Sequence, residues 1–336
     1  MVDATTSPIE QQQMPPELAQ IPPFPAIALK LLALLSNDDA GFAPIVACIA
    51  TDPVLCAKVM KRANASDMAT YCAVTTVQQA VSALGVDRTR EVSLTAATAG
   101  FASTAMSRPS LRSCWHHTLA TALIASEVAR QCGQRPAEAY TAGLLHDIGR
   151  IGLVAAFPNK YEKLLEAIAE QPADLAEAER SNFGVDHIQA GTWLARQWLL
   201  PEPLIEVIAH HQSARSSEVC DETMIVQVAC RLANHIGFSV ERTPTAESFD
   251  EIVAPLPSFV RPRLQAQLPI IKAAIAKEIA PQDESAQVER VREDEDSPHA
   301  ASAESEETRG FPWKTWVVFA VLAIVAVAVA MRFLRH

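Results

Sequence analysis

Between residues 21 and 280 no stretch alternates apolar and polar residues with a period of two, while helix starts and stops recur throughout. A chain without a strand signal must bury its apolar surface helix on helix. Asn37-Asp38-Asp39 can cap a helix running through Ile45, Val46 and Ile49, and Asp52-Pro53 supplies an N-cap followed by proline at the first helical position. Thr75 and Thr76 open a short helix that Gly85 closes, and Asp87 caps the next. Further helices are expected near 113–132, 136–149, 158–170, 185–199, 201–212 and 221–237. Eleven glycines in 336 residues, against abundant alanine and leucine, favour the same outcome. The body is expected to be an all-α, multi-helix bundle.

The ends read differently. Residues 1–20 are polar and proline-dotted, so a disordered N-terminal tail is expected, without the basic-then-apolar run of a signal peptide. Residues 281–312 form an acidic, Ser- and Ala-rich stretch; positions 281–310 hold ten acids against three arginines. Self-repulsion and the lack of an apolar period predict a flexible linker there. Thr315 to Met331 then carries no charge, and at 1.5 Å per residue spans about 25 Å, enough for a short membrane crossing. With Trp313, Trp316, Lys314 and Arg332 at its edges, the segment 313–333 is expected to be one C-terminal transmembrane helix. Without an export signal, the N-terminal body is expected to stay in the cytoplasm, tethered to the cytoplasmic membrane. Seven scattered cysteines without a C-x-x-C pair argue against a disulfide framework. A net charge of −11 disfavours nucleic acid as a partner, although Lys58, Lys61 and Arg62 could hold an anionic ligand.

Six of nine histidines, His116, His117, His146, His187, His210 and His211, lie within one 96-residue window, and His146 is followed directly by Asp147. Imidazole and carboxylate groups brought singly from separate helices can cage a divalent ion inside a bundle. A water bound to such an ion becomes a hydrolytic nucleophile.

Trp115-His-His-Thr-Leu-Ala-Thr-Ala122 followed by Gly143-Leu-Leu-His-Asp-Ile-Gly149 resembles the HD phosphohydrolase superfamily. Ile21-Pro-Pro-Phe-Pro25, Ile49-Ala-Thr-Asp-Pro-Val-Leu55, Ala63-Asn64-Ala65-Ser66 and Val77-Gln-Gln-Ala-Val-Ser-Ala-Leu-Gly85 narrow the similarity to its HDOD branch, the HD-related output domain of bacterial signalling proteins. The resemblance implies an HDOD domain over 21–240, with the HD-like part at about 110–240, and leaves 241–280 as a helical extension packed on it. It also implies a degenerate metal site of His117, His146, Asp147, His187, His210 and His211, for a divalent ion such as Mn, Fe or Mg, or for none. The superfamily's last ligand is an Asp on the following helix, where this chain has Cys230. The Gly-Tyr-Pro loop of the HD-GYP phosphodiesterases is replaced by Gln212-Ser-Ala-Arg-Ser-Ser217, and the Lys that often follows the His-Asp motif is Arg150, which could bind phosphate or neutralise a helix C-terminus.

The function expected from the resemblance is a membrane-tethered signalling adaptor without turnover, with signalling proteins or a small nucleotide as partners. The alternatives are a metal-dependent phosphohydrolase acting on a nucleotide or cyclic dinucleotide, and a ligand sensor that binds without turnover.

Overall fold

The structure, a computed structural model, describes residues 14–22, 24–35, 41–65, 74–102, 107–213, 220–241 and 247–295. Proline and hydrogen-bonding caps set where its helices begin. The first five are α1 (Pro16–Ala19), α2 (Ala26–Leu35), α3 (Phe42–Ile49), α4 (Pro53–Asn64) and α5 (Val77–Phe101). Asp52 Oδ1 accepts from the Leu55 amide at 3.1 Å, so Asp52 caps α4 ahead of Pro53. At α5, Thr76 Oγ1 accepts from the Gln79 amide at 3.1 Å while Gln79 Oε1 accepts from the Thr76 amide at 3.2 Å, a reciprocal cap. Gly85, at φ +78°, divides α5 into two helical pieces where the sequence expects a stop. The residue before α3 is Gly41 in extended conformation, so that helix starts after Asn37-Asp38-Asp39, which lie outside the described residues.

Ten more helices follow among the described residues: α6 (Arg112–Cys132), α7 (Pro136–Leu145), α8 (Ile148–Ala156), α9 (Pro158–Glu170), α10 (Leu175–Phe183), α11 (His187–Gln197), α12 (Glu202–His210), α13 (Glu222–His235), α14 (Phe249–Val253) and α15 (Arg261–Glu295). No strand occurs among the described residues, as the absence of period-two alternation predicts. The small N-terminal helices enclose one apolar cluster, centred on Leu31, Ile45, Ile49, Val59 and Val81. A second and larger core surrounds Trp115 and Tyr161 and reaches from Leu18 to Ile279. The described residues up to Arg290 form one compact unit.

Two expectations about the ends are corrected. Pro16–Ala19 is helical, and Leu18, 1% exposed, is part of the large core, so order begins inside the stretch expected to be a disordered tail. Burying Leu18 contributes about 1.5–3 kcal/mol towards ordering that turn. Residues 281–295 continue α15 where a flexible linker is expected. Ala, Gln, Glu and Arg are good helix formers, and an existing helix extends without a new nucleation cost. Among the described residues no helix is long and apolar enough to cross a membrane. The expected linker after 295 and the span 313–333 lie outside them.

Candidate metal centre

Two glycines bring the His146-Asp147 doublet to the centre of the bundle. A Cβ on Gly143 would stand 2.8 Å from Ala122 Cα, so α7 lies against the backbone of α6. A Cβ on Gly149 would stand 2.0 Å from the His187 carbonyl oxygen and 2.2 Å from the Gly191 nitrogen, so α8 lies equally close on α11. Held against different partners, α7 and α8 cannot share one axis, and the expected single helix over 136–149 breaks at the doublet. Asp147 takes φ −107° and ψ 23° at that break and makes no capping hydrogen bond, leaving its carboxylate for the interior.

Four histidines face one another there. His117 from α6, His146, His187 at the start of α11 and His211 just past α12 are each 3% exposed or less. Ring centroids are 5.4 Å apart for His117–His146, 5.0 Å for His146–His211 and 5.6 Å for His187–His211. Each Nδ1 is tied outwards to an acceptor: Phe238 O at 2.9 Å for His117, Gly143 O at 2.7 Å for His146, Ile208 O at 2.9 Å for His211 and Glu179 Oε2 at 2.5 Å for His187. A carbonyl or carboxylate oxygen only accepts, so Nδ1 carries the hydrogen in all four rings. Every Nε2 lone pair therefore points into the cluster, which is how second-shell groups prepare histidines for a metal.

The four lone pairs are not equivalent. His187 Nε2 accepts from Arg150 Nη2 at 3.2 Å and from Gln212 Nε2 at 2.9 Å. His117 Nε2 lies 3.4 Å from Cys230 Sγ and can accept its S–H, because burial, then Asp147, pushes the Cys230 thiol up to about 12. His146 Nε2, His211 Nε2 and Asp147 Oδ1 are buried without a hydrogen-bond partner. Such orphans are costly and uncommon. The three lie within 4.8 Å of one another, as do His117, His146 and Cys230. Two imidazoles and a carboxylate fit a divalent transition ion better than magnesium, which prefers oxygen and water.

Arg150 supplies the positive charge of the cluster. Its Nε donates to Asp147 Oδ2 at 2.6 Å, its Nη1 to the Tyr161 hydroxyl at 3.4 Å and its Nη2 to His187, with Glu179 Oε1 3.6 Å from Nη1. All three guanidinium nitrogens thus have partners inside the protein, and Arg150 is 4% exposed. Burial opposes ionisation of Asp147, yet Arg150, His187, His146 and His211 together hold its carboxyl well below the usual carboxylate range. Burial lowers His117, and lowers His146 well below the ordinary imidazole value; it takes His211 to about 4. These three rings are neutral and able to ligate at neutral pH.

Of the sequence candidates, His117, His146, Asp147, Arg150, His187, His211 and Cys230 come together. His210 does not: its side chain is 45% exposed and its Nε2 lies 3.5 Å from Glu206 on the outside of α12. The sequence reading misses Glu179, Tyr161 and Gln212. Glu179 has a legible signal, because Leu175, Glu179 and Phe183 share the buried stripe of α10 at four-residue spacing, and a carboxylate in an apolar stripe requires a buried partner. Gln212 and the Phe238 carbonyl lie on connecting segments and have none.

Residues 21–214 match the HDOD domain family. An uncharacterized protein of Treponema pallidum (strain Nichols) is 29% identical over 255 residues, covering 74% of this chain; the chain spans 47% of that relative's length. Among solved structures, an HDOD domain protein of unknown function from Geobacter sulfurreducens superposes with a TM-score of 0.63 at 24% identity, over 80% of this chain and 92% of its own. A candidate phosphohydrolase from Shewanella amazonensis SB2B gives 0.54 at 23% identity, over 81% and 96%. A candidate signal-transduction protein from Marinobacter aquaeolei VT8 gives 0.60 at 21% identity, over 80% and 63%. At these identities the structures share a fold.

Proposed function

The chain belongs to the HDOD domain family, and on that premise we propose that it is a signalling adaptor that binds partner proteins, or a small nucleotide, without catalytic turnover. The observation that carries this reading is the place of Arg150. Its guanidinium joins Asp147, Glu179 and His187, so a fixed cation already stands beside the carboxylate that a metal would use. Two-metal hydrolysis needs ions about 3.5–4 Å apart, and a fixed guanidinium charge between the ligands opposes that. The enclosure of the cluster supports the same reading, since a hydrolase must open at least one coordination position to its substrate. Arg150 would also have to give up its buried ion pair to grip a phosphate.

A metal-dependent phosphohydrolase acting on a nucleotide or cyclic dinucleotide is the second reading, favoured by the three orphaned donors. His146, Asp147 and His211 would hold one divalent ion, Mn or Fe before Mg, and such an ion would supply Lewis acidity and an activated water. Assaying the purified full-length chain for phosphodiester hydrolysis, with and without added Mn²⁺ or Fe²⁺, separates the two. No turnover is expected. Turnover that Asp147→Ala abolishes would overturn the adaptor reading.

We further propose tethering to the cytoplasmic membrane through 313–333, supported by the uncharged run from Thr315 to Met331. The full-length chain is then expected in the membrane fraction of lysed cells and a chain lacking residues 311–336 in the soluble fraction. A full-length protein that stays soluble refutes the tether. The net charge of −11 supports protein or small-molecule partners rather than nucleic acid.

A further inference from the structure

One corner of the cluster has a donor set of its own. We propose that His117, His146 and Cys230 form a site for a thiophilic divalent ion of the zinc class, with Cys230 ligating as a thiolate. The geometry is favourable before any ion arrives. His117 Nε2 and Cys230 Sγ are 3.4 Å apart. A tetrahedral ion with bonds of about 2.0 Å to nitrogen and about 2.3 Å to sulfur holds such a pair about 3.5 Å apart. His146 Nε2, the third donor, is buried without a partner, and the three donor atoms lie within 4.8 Å of one another. Both imidazoles are held in the ligating tautomer from behind, by the Phe238 and Gly143 carbonyls. His146 also belongs to the group with Asp147 and His211, so the two donor sets share one ligand.

The chemistry of the donors selects the ion. Sulfur with two imidazoles suits zinc and disfavours magnesium and manganese, which a carboxylate in place of Cys230 would serve better. Closed sites of nitrogen and sulfur ligands are the structural kind, in keeping with a cluster whose members are almost wholly buried. Binding breaks the Cys230 S–H bond and forms a sulfur–metal bond; the proton leaves to buffer, one per ion, and nothing is oxidised or reduced. The inference stands apart from the question of turnover, and the hydrolysis assay and the test below can fail separately.

Cobalt reports the thiolate directly. The full-length chain, stripped with a chelator, is titrated with Co²⁺ and then with Zn²⁺. One equivalent of cobalt is expected to raise a near-ultraviolet thiolate-to-cobalt charge-transfer band that zinc abolishes. Cys230→Ser keeps a hydrogen-bond donor for His117 and is expected to lose the band and bind zinc at least about tenfold more weakly, the scale on which even a second-shell loss is felt. Cys230→Asp is expected to shift preference from zinc towards manganese. Cobalt bound without the band, no cobalt bound, or a band that survives Cys230→Ser overturns the site. If Cys230→Ser does not fold, zinc-dependent protection of Cys230 from alkylation in the wild-type chain decides the matter; unprotected Cys230 overturns it.

Discussion

Glu179 is the side chain on which the buried charges turn. It receives the His187 ring and amide at 2.5 and 2.8 Å, accepts from the Tyr161 hydroxyl, and faces Arg150. Burial opposes its ionisation, but His187 and Arg150 keep it below the usual carboxylate value. Glu179→Gln removes one charge and leaves Arg150 with Asp147 alone. Breaking a buried ionic group in this way costs about 3–5 kcal/mol, readable as a lower denaturation midpoint in urea. The histidines give the molecule a pH dependence of definite sign. His211 falls from the ordinary 6.5 to about 4 in the folded chain, so between those values the unfolded chain binds the extra proton. Stability is therefore complete above about 6.5 and falls as pH drops towards 4, by about 3 kcal/mol from this ring alone. Asp147, whose folded value is depressed, adds a loss through the carboxylate range and below. Urea unfolding at a series of pH values checks the slope; a flat profile between pH 7 and 4.5 would contradict it. Most of these residues can be picked from the sequence because a His-Asp doublet is rare chemistry. The carbonyls that orient three of them cannot, since a backbone oxygen leaves no mark in the sequence; Glu179, in its buried stripe, is the one tie that does.

At the scale of helices, close approach and backbone freedom make two kinds of glycine. Gly149→Ala would drive a methyl group into the α11 backbone, where nothing flexible can yield, and is expected to cost at least about 3 kcal/mol. Gly85 has nothing within 4 Å of an added Cβ but sits at φ +78° and ψ 170°, a region only glycine adopts readily, so Gly85→Ala should cost about 1–3 kcal/mol of backbone strain, less than Gly149→Ala. Thermal unfolding of the two variants side by side tests the distinction; equal losses would refute it. The helix starts at Asp52 and Thr76 are legible because a cap is a local device. The break between α7 and α8 is not, because two partners distant in sequence impose it. The same holds for α15, which runs on through a stretch whose charge alone suggests a linker.

For the whole molecule, the large core shows where the protein can be cut. Ile252, Val253, Leu256, Val260, Leu264 and Ile275 are buried in the same core as Trp115. A chain ending at residue 240 would leave their partners bare, and burying one such side chain stabilises by about 1.5–3 kcal/mol. That truncation is expected to be insoluble or to unfold without cooperativity, whereas a chain ending at residue 295 retains the sharp transition of the full protein; circular dichroism on heating distinguishes them. The all-helical class is readable from the lack of alternation. The reach of the core into α14 and α15 is not, because amphipathic helices signal that they pack without naming their partner.

Arg150 has one consequence for how the protein would fare in a cell. A cation that is part of the chain cannot be diluted away, captured by a competing protein or withheld in a famine of trace elements. Much of the negative charge at the centre of this bundle is matched by such a resident, so chelator treatment should leave the helices standing. Any ion that enters beside it would tighten a shape that already exists, and the abundance of metal outside could adjust the protein without deciding whether it folds.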